Sequence, residues 1–487
     1  MAHSRSKRKS SSKEKHNLSL INILLLIIYT GLSIIISFWM YLYNFLAFRQ
    51  LNLVLSIGLV LVFFMCLFLI IKKKLKGLTS LILVISTILL AIMLFTFKST
   101  IDFTAEINKT ASFSEIEMSV IVPKDSTINS ISELETVQAP LKNDSENIDS
   151  LIKHIKVAKK KELKLEEVAS YPEAYQKMLS NQSQAMVMNS AYMSLLGQED
   201  LQFSDKVKTI YSYKIKKDIK AKKSHVTKAG VYNIYISGID TYGPISTVSR
   251  SDVNIVMTVN MNTHKVLLTT TPRDSYVKIP NGGGDQFDKL THAGIYGVET
   301  SMATLANLYG IEMTDYARIN FTSFLNLIDM LGGIEVVNDQ AFSADGFDYP
   351  AGKISLNSQE ALRFVRERYS LKGGDGDRGK NQEKVVSAII RKLTMIKSPA
   401  QFSEIVTGLQ TSIQTNLTLD QLMTIANAQL ESNQSYDITS QDVTGTGSTG
   451  ELPSYAMPGS ALYMYQLDDA SLNQAKEAIK AVMEESK

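Results

Sequence analysis

Cysteine is almost missing from this chain: Cys66 is the only one in 487 residues. A single thiol excludes an intrachain disulfide framework and any zinc site built on thiolates. It also lies inside an apolar run, which removes it as a nucleophile in water. Histidine is scarce too. The six histidines lack metal-ligand spacing, and His292 reads as a hydrogen-bonding loop residue rather than a catalytic base. Neither a Gly-x-Ser-x-Gly elbow nor a Gly-Lys-Ser/Thr phosphate loop occurs. The formal net charge of +3 provides no global basic field, so no nucleic-acid partner is expected.

Apolar residues, by contrast, are abundant at 45%, and the excess sits near the N-terminus. Residues 18–43, 53–71 and 78–97 are almost free of charge, and each meets the roughly 20 residues needed to cross a bilayer. A cleaved signal peptide would have a shorter apolar region and a small-residue cleavage site, neither of which is present. Basic residues orient the spans. Arg5, Lys7, Arg8, Lys9, Lys13 and Lys15 crowd the leading tail, and Lys72, Lys73, Lys74 and Lys76 the second connection. The first connection has only Arg49. Tail and second loop are therefore expected in the cytoplasm and everything after Lys98 outside the cell. Trp39, Tyr41 and Tyr43 suit an outer aromatic belt.

The chain then divides by pattern. A basic tail (1–17) and the spans (18–98) precede a polar connector (99–116) and a mixed accessory unit (117–223). That unit offers strand candidates at 118–122 and 185–188 and helical spacing at 148–157 and 171–179. Its end is marked by the lysine-rich stretch 214–223, read as a solvated linker. A second unit, 230–431, opens with three strands, at 231–236 and 252–261, which alternate with period two, and at 265–271, which returns after a turn at Asn262-Thr263-His264. Helices are expected at 297–309, 321–331, 358–365 and 377–396. Strands mixed with helices predict an α/β (α+β) sandwich. Residues 432–487 read as an extension, rich in Ser, Thr and Gly at first and ending in a helix over 471–483.

If the three strands form a meander, Asp240, Asp252 and Arg273 come to one sheet edge. Two carboxylates with open coordination positions suit Mg²⁺, although both aspartates could equally be turn residues. Downstream, Arg366 and Arg368 share a side if the chain is extended there. Arg378 and Gln382 are four apart on one helix face, in the first turns, where an anion is favoured. Arginine grips phosphate oxygens with a planar fork. Taken singly, each arginine could instead form a surface salt bridge with Glu367, Asp375 or Asp377.

Five pieces occur in order: Ser249-Arg250-Ser251-Asp252, Thr271-Pro272-Arg273-Asp274, Leu331-Gly332-Gly333-Ile334, the run from Ala361 to Arg368, and Asp377-Arg378-Gly379-Lys380-Asn381-Gln382. Together they resemble the signature of the LytR–CpsA–Psr (LCP) family, and the three-span anchor with an extra domain resembles its capsule-associated, CpsA-like members. The resemblance implies an extracellular catalytic domain on a Gram-positive type cell membrane. It implies a metal-dependent phosphotransferase that moves an undecaprenyl diphosphate-linked polysaccharide, capsular by this layout, onto peptidoglycan with release of polyprenyl phosphate. Other capsule-assembly membrane proteins are further candidate partners. The matches of Asp240 and Asp252 would hold Mg²⁺ or Mn²⁺. Those of Arg273, Arg366, Arg368, Arg378 and Gln382 would hold the diphosphate, with Arg250 in the same neighbourhood, and the polyprenyl tail would lie in an apolar tunnel between sheet and helices.

A sugar hydroxyl would attack the sugar-linked phosphorus, with catalysis coming from positioning and charge neutralisation. Asp252 or Asp274 would accept its proton, unless Asp274 serves to orient Arg273. Two rival readings remain open: a polyprenyl diphosphate hydrolase, and a non-catalytic membrane regulator of capsule or cell-wall assembly.

Overall fold

The computed structural model describes residues 2–219, 230–239, 245–395, 413–432 and 434–486. Two compact units partition the chain. The first holds three long helices, α1 (Ala2–Leu42), α2 (Leu51–Ile71) and most of α3 (Lys76–Ala111). Each has a stretch long and apolar enough to span a bilayer. Ile27, Leu61 and Phe95 are among many large apolar side chains left exposed along them, as lipid-facing residues would be. The connector expected at 99–116 is not one: α3 runs on to Ala111. Its polar residues are compatible with a helix, and sequence polarity alone marks where the bilayer ends, not where the helix does.

A helix from far along the chain belongs to this unit. Numbered α12 in chain order, it spans Leu419–Ser432. It packs Leu419 and Met423 into the same cluster as Phe45 and Phe97, whose rings stack 4.2 Å apart. Asn427 donates to the Asn44 carbonyl at 2.7 Å, and Asn44 donates to Asp420 at 2.6 Å. The α1–α2 turn is thus held by α12.

In the second unit, β1 (Phe113–Pro123), β2 (Thr136–Ala139), β3 (Lys164–Glu167), β4 (Met186–Asn189) and β5 (Val207–Asp218) make a five-stranded sheet of order β3-β2-β4-β1-β5. Helices α4 (Leu141–Lys159), α5 (Tyr171–Leu179), α6 (Ser190–Glu199) and the short α7 (Phe203–Lys206) accompany it. The stretch read as a linker from Lys214 is strand β5 as far as Asp218, paired with β1. Its alternate side chains face solvent, so the lysines hide a strand. Residues 220–223 lie outside the described residues.

The other part of this unit is built on a sheet of order β16-β11-β6-β7-β8-β17. Its strands are β6 (Val231–Ile239), β7 (Ser251–Asn260), β8 (Lys265–Thr270), β11 (Asp315–Asn320), β16 (Ile413–Thr415) and β17 (Asp437–Asp442). Strands β6, β7 and β8 form the expected antiparallel meander. One correction concerns the domain end. β17 pairs in parallel with β8, so residues after 431 complete the sheet rather than extend from it.

Alternation along β6 assigns the sheet's two faces. Tyr235 packs with α8 (Val298–Tyr309) and the last helix, α13 (Asp469–Glu484). Its neighbour Ile236 faces a cavity shared with α9 (Phe321–Met330), α10 (Ser358–Arg366) and α11 (Asp375–Thr394). The result is helix–sheet–helix layering, the sandwich expected. Short hairpins decorate it: β9 (Tyr276–Ile279) with β10 (Gln286–Lys289), β12 (Ile334–Asn338) with β15 (Gly352–Leu356), β13 (Phe342–Ala344) with β14 (Phe347–Tyr349), and β18 (Gly445–Thr449) with β19 (Tyr463–Leu467).

Candidate active site

The meander returns Asp252, at the start of β7, and Arg273, just past β8, to one sheet edge. There Arg273 donates through a terminal guanidinium nitrogen to an Asp252 oxygen at 2.8 Å. The other Asp252 oxygen accepts from the Thr291 hydroxyl at 3.0 Å. Thr291 is itself held by its backbone N–H, which donates to the Arg273 carbonyl at 2.8 Å. Glycine permits this proximity at one point. A Cβ on Gly294 would lie 2.6 Å from the Ser249 carbonyl oxygen and the Ser251 nitrogen. Only a bare Cα lets that turn press against the segment that presents Arg250 and Asp252.

Asp252 shows how charge is arranged. Burial pushes its carboxyl up, but Arg273, Arg250 and Arg378 together outweigh burial and hold it below the usual carboxylate range. Three guanidinium groups separated by as many as 128 residues of chain thus act on one carboxylate. Asp274 is lowered in the same way: burial opposes ionisation, while Lys289 first and then Arg273 favour it. Its side chain lies 3.0 Å from the Lys289 ammonium and 3.7 Å from Arg273 Nε. Asp274 does not line the cavity, so this geometry suits a partner that orients Arg273.

The cavity measures about 320 Å³ and runs between the sheet and α9–α11. Arg273, Arg366, Arg368, Arg378 and Gln382 line it with Asp252, and Ile236, Ile239, Ile319, Phe324, Val385 and Ile389 supply an apolar wall. Four of the five arginines expected at the diphosphate therefore meet at one pocket, whereas Arg250 is buried beside Asp252 and does not line it. Arg378 and Gln382 are both buried, on one face of α11, and Gln382 donates to the Val365 carbonyl at 3.3 Å. Arg366 ends α10 and lies 4.2 Å over the Phe321 ring. The chain turns extended at Glu367, bringing Arg368 to the same cavity. Two of the acids that might have claimed these arginines, Glu367 and Asp377, are engaged elsewhere. Glu367 accepts from the Arg368 and Ser370 backbone N–H groups, and Asp377 from Gly373 N–H and the Gln340 amide.

Asp240 lies outside the described residues. His292 is buried with Nδ1 2.8 Å from Asp288, and Asp288 also accepts from the Ser454 hydroxyl and the Ala456 N–H. It fastens the C-terminal segment and has no part in the cavity. Sequence reasoning missed Thr291, Lys289 and Gln198. The first two arrive through the β9–β10 hairpin and the 3₁₀ turn after it, and nothing in their local pattern signals the contact.

A family model, that of the LytR_cpsA_psr family, matches residues 198–481. The chain belongs to this family. The polyisoprenyl-teichoic acid–peptidoglycan teichoic acid transferase TagU of Enterococcus faecalis is 34% identical over 253 residues, covering 51% of this chain and 78% of that protein. TagU of Bacillus subtilis is 29% identical over 264 residues, 54% of this chain and 81% of that one. Its crystal structure aligns with a TM-score of 0.42 at 29% identity, over 53% of this chain and 98% of that one. A second model, described as a DNA polymerase processivity factor, matches residues 73–188. That range straddles α3 and only part of the five-stranded sheet, so it coincides with no folded unit of the chain.

Proposed function

We propose that this LCP protein is a membrane-anchored phosphotransferase that moves a glycopolymer from a polyprenyl diphosphate carrier onto peptidoglycan. One observation carries the reading: four arginines and a buried glutamine share a single cavity with a long apolar wall. A polyprenyl diphosphate has a matching division, with a multiply charged head and a hydrocarbon tail. The TagU relatives, named as teichoic acid transferases, support the reaction class. Three apolar helices would keep the chain at the carrier's membrane, and the basic residues of the leading tail and second connection favour a catalytic domain on the outer side. The extra five-stranded unit favours capsular polysaccharide as the polymer.

In this reading Arg378, Arg366 and Arg368 bind non-bridging oxygens of the diphosphate through charge-assisted hydrogen bonds, and Gln382 adds a neutral contact. Arg273, oriented by Asp252 and Asp274, faces the charge that grows as the bridging bond breaks. The acceptor, expected to be the C6 hydroxyl of N-acetylmuramic acid, forms a bond to the sugar-linked phosphorus. The bond from that phosphorus to the bridging oxygen breaks, polyprenyl phosphate leaves, and the hydroxyl proton passes to Asp252 or to water.

A divalent cation, Mg²⁺ or Mn²⁺, fits Asp252, the acidic residue in the cavity lining. Asp252 lines the cavity, is held ionised, and makes one of the hydrogen bonds above on each oxygen, leaving lone pairs for a metal that keeps its waters. Asp252, with Asp240 as the second expected ligand, would hold it, and when bound it would neutralise phosphate charge.

The test supplies lipid-linked polymer to the full-length protein in detergent, with and without peptidoglycan. Polymer joined to peptidoglycan, with polyprenyl phosphate formed only when acceptor is present, is the expected result. Phosphate release regardless of acceptor would establish a hydrolase, and the absence of any turnover a regulator.

A further inference from the structure

The cavity has a wall from outside the six-stranded domain. Gln198, in the last turn of α6, lines it and is solvent-exposed. Helix α6 belongs to the five-stranded unit, yet its position against the catalytic domain is fixed. Ala191, Tyr192, Leu195 and Leu196 are buried in a core that also includes Ile295, Ala456 and Met457. At its start, Asn189 caps the helix by accepting from Ala191 N–H at 3.0 Å and donates to Asp144 at 2.8 Å. A rigid helix is a precise place to mount a contact residue.

Tyr369 completes the rim. It lines the same cavity and is 85% exposed, so its ring is open to solvent. Arg368 holds it in place, donating to its hydroxyl at 2.5 Å while the guanidinium carbon sits 4.6 Å from the ring centre. An amide and a phenol ring stand where the cavity meets solvent, one beside the arginines in sequence and the other supplied by a separate unit. Any group attached to an arginine-bound diphosphate and leading outward would meet them.

We propose that Gln198 and Tyr369 form the subsite for the sugar joined directly to the diphosphate, so that the five-stranded unit helps select the polymer. The amide both donates and accepts, which suits sugar hydroxyl and N-acetyl groups, and the ring offers a flat apolar face to a pyranose. The inference rests on the donor reading above, and two probes separate their fates.

Binding of farnesyl diphosphate, and of farnesyl diphosphate bearing one N-acetylglucosamine on its terminal phosphate, is measured on the full-length protein in detergent. Gln198→Met keeps size and helix propensity while removing the amide, and Tyr369→Ala alters an exposed residue, so both should fold. Each variant is expected to weaken the sugar-bearing probe about tenfold while the bare diphosphate changes less than about twofold. Equal losses for both probes, or no loss for either, would overturn the subsite. Failure of the unaltered protein to bind either probe would overturn the donor reading itself, and the subsite with it.

Discussion

Two pairs of acidic residues, beside neighbouring faces of helix α11, have been treated in opposite ways. On the cavity side, Asp252 and Asp274 are surrounded by Arg273, Arg250, Arg378 and Lys289 and are held ionised in spite of burial. Outside the cavity lining, Glu383 of α11 and Asp442 of β17 face each other. Burial first, and then the Asp442 charge, push Glu383 up to about 8, and Asp442 is raised as well. Consecutive residues of α11, Gln382 and Glu383, belong to the two environments. The lesson is that burial alone does not mark a site: both pairs are buried, but only one sits in a surplus of positive charge that opens onto a cavity. Such a surplus is what a multiply charged anion requires.

Breaking the cationic side should have the largest consequences. Arg273→Ala is expected to cut turnover by roughly 10²–10³-fold, the scale for removing one donor to transition-state charge, and in cells to release polymer into the medium. Normal polymer attachment by this variant would favour a regulatory role. Asp252→Asn keeps the shape but removes the charge. A metal titration of turnover should show the requirement for Mg²⁺ or Mn²⁺ shifted to higher concentration or lost, and an unchanged titration would exclude Asp252 as a ligand. Arg378→Ala should weaken binding of a prenyl diphosphate by about 1.5–3 kcal/mol, as for a charged hydrogen bond, read by calorimetry.

The second pair sharpens the comparison through pH. A carboxyl raised from about 4.5 to about 8 binds a proton more tightly in the folded protein than in the unfolded chain. Its stabilising contribution is complete below the unfolded value and is lost as pH rises towards 8. Glu383→Gln should therefore stabilise the detergent-solubilised protein at pH 8 by on the order of 1–3 kcal/mol, read as a higher thermal midpoint, with little change at pH 4.5. The same change should leave prenyl diphosphate affinity nearly as it was, since Glu383 does not line the cavity. Equal shifts at both pH values would show that Glu383 is not protonated in the fold.

The site was legible in the sequence where local geometry dictates placement. Alternation identified β6 and β7, the turn at Asn262-Thr263-His264 returned the chain as β8, and the meander brought Asp252 and Arg273 to one edge. A spacing of four placed Arg378 and Gln382 on one face of α11. What could not be read depends on contacts with distant or weakly patterned chain. Strands β16 and β17 are short and polar and join the sheet edges only because β11 and β8 are already there. Strand β5 hides behind lysines on its exposed face. Thr291 reaches Asp252, and Gln198 the cavity, through packing that no period reveals, and the polar end of α3 looked like a linker because charge says nothing about helix length.

The central claim is that Arg273 and Arg378 together bind the diphosphate of a lipid carrier. A structure of the protein with a prenyl diphosphate bound tests it most directly. The account predicts diphosphate oxygens within hydrogen-bond distance of both guanidinium groups and the hydrocarbon chain along Ile236, Phe324 and Val385. A diphosphate seated elsewhere, or a chain pointing away from that wall, would contradict it.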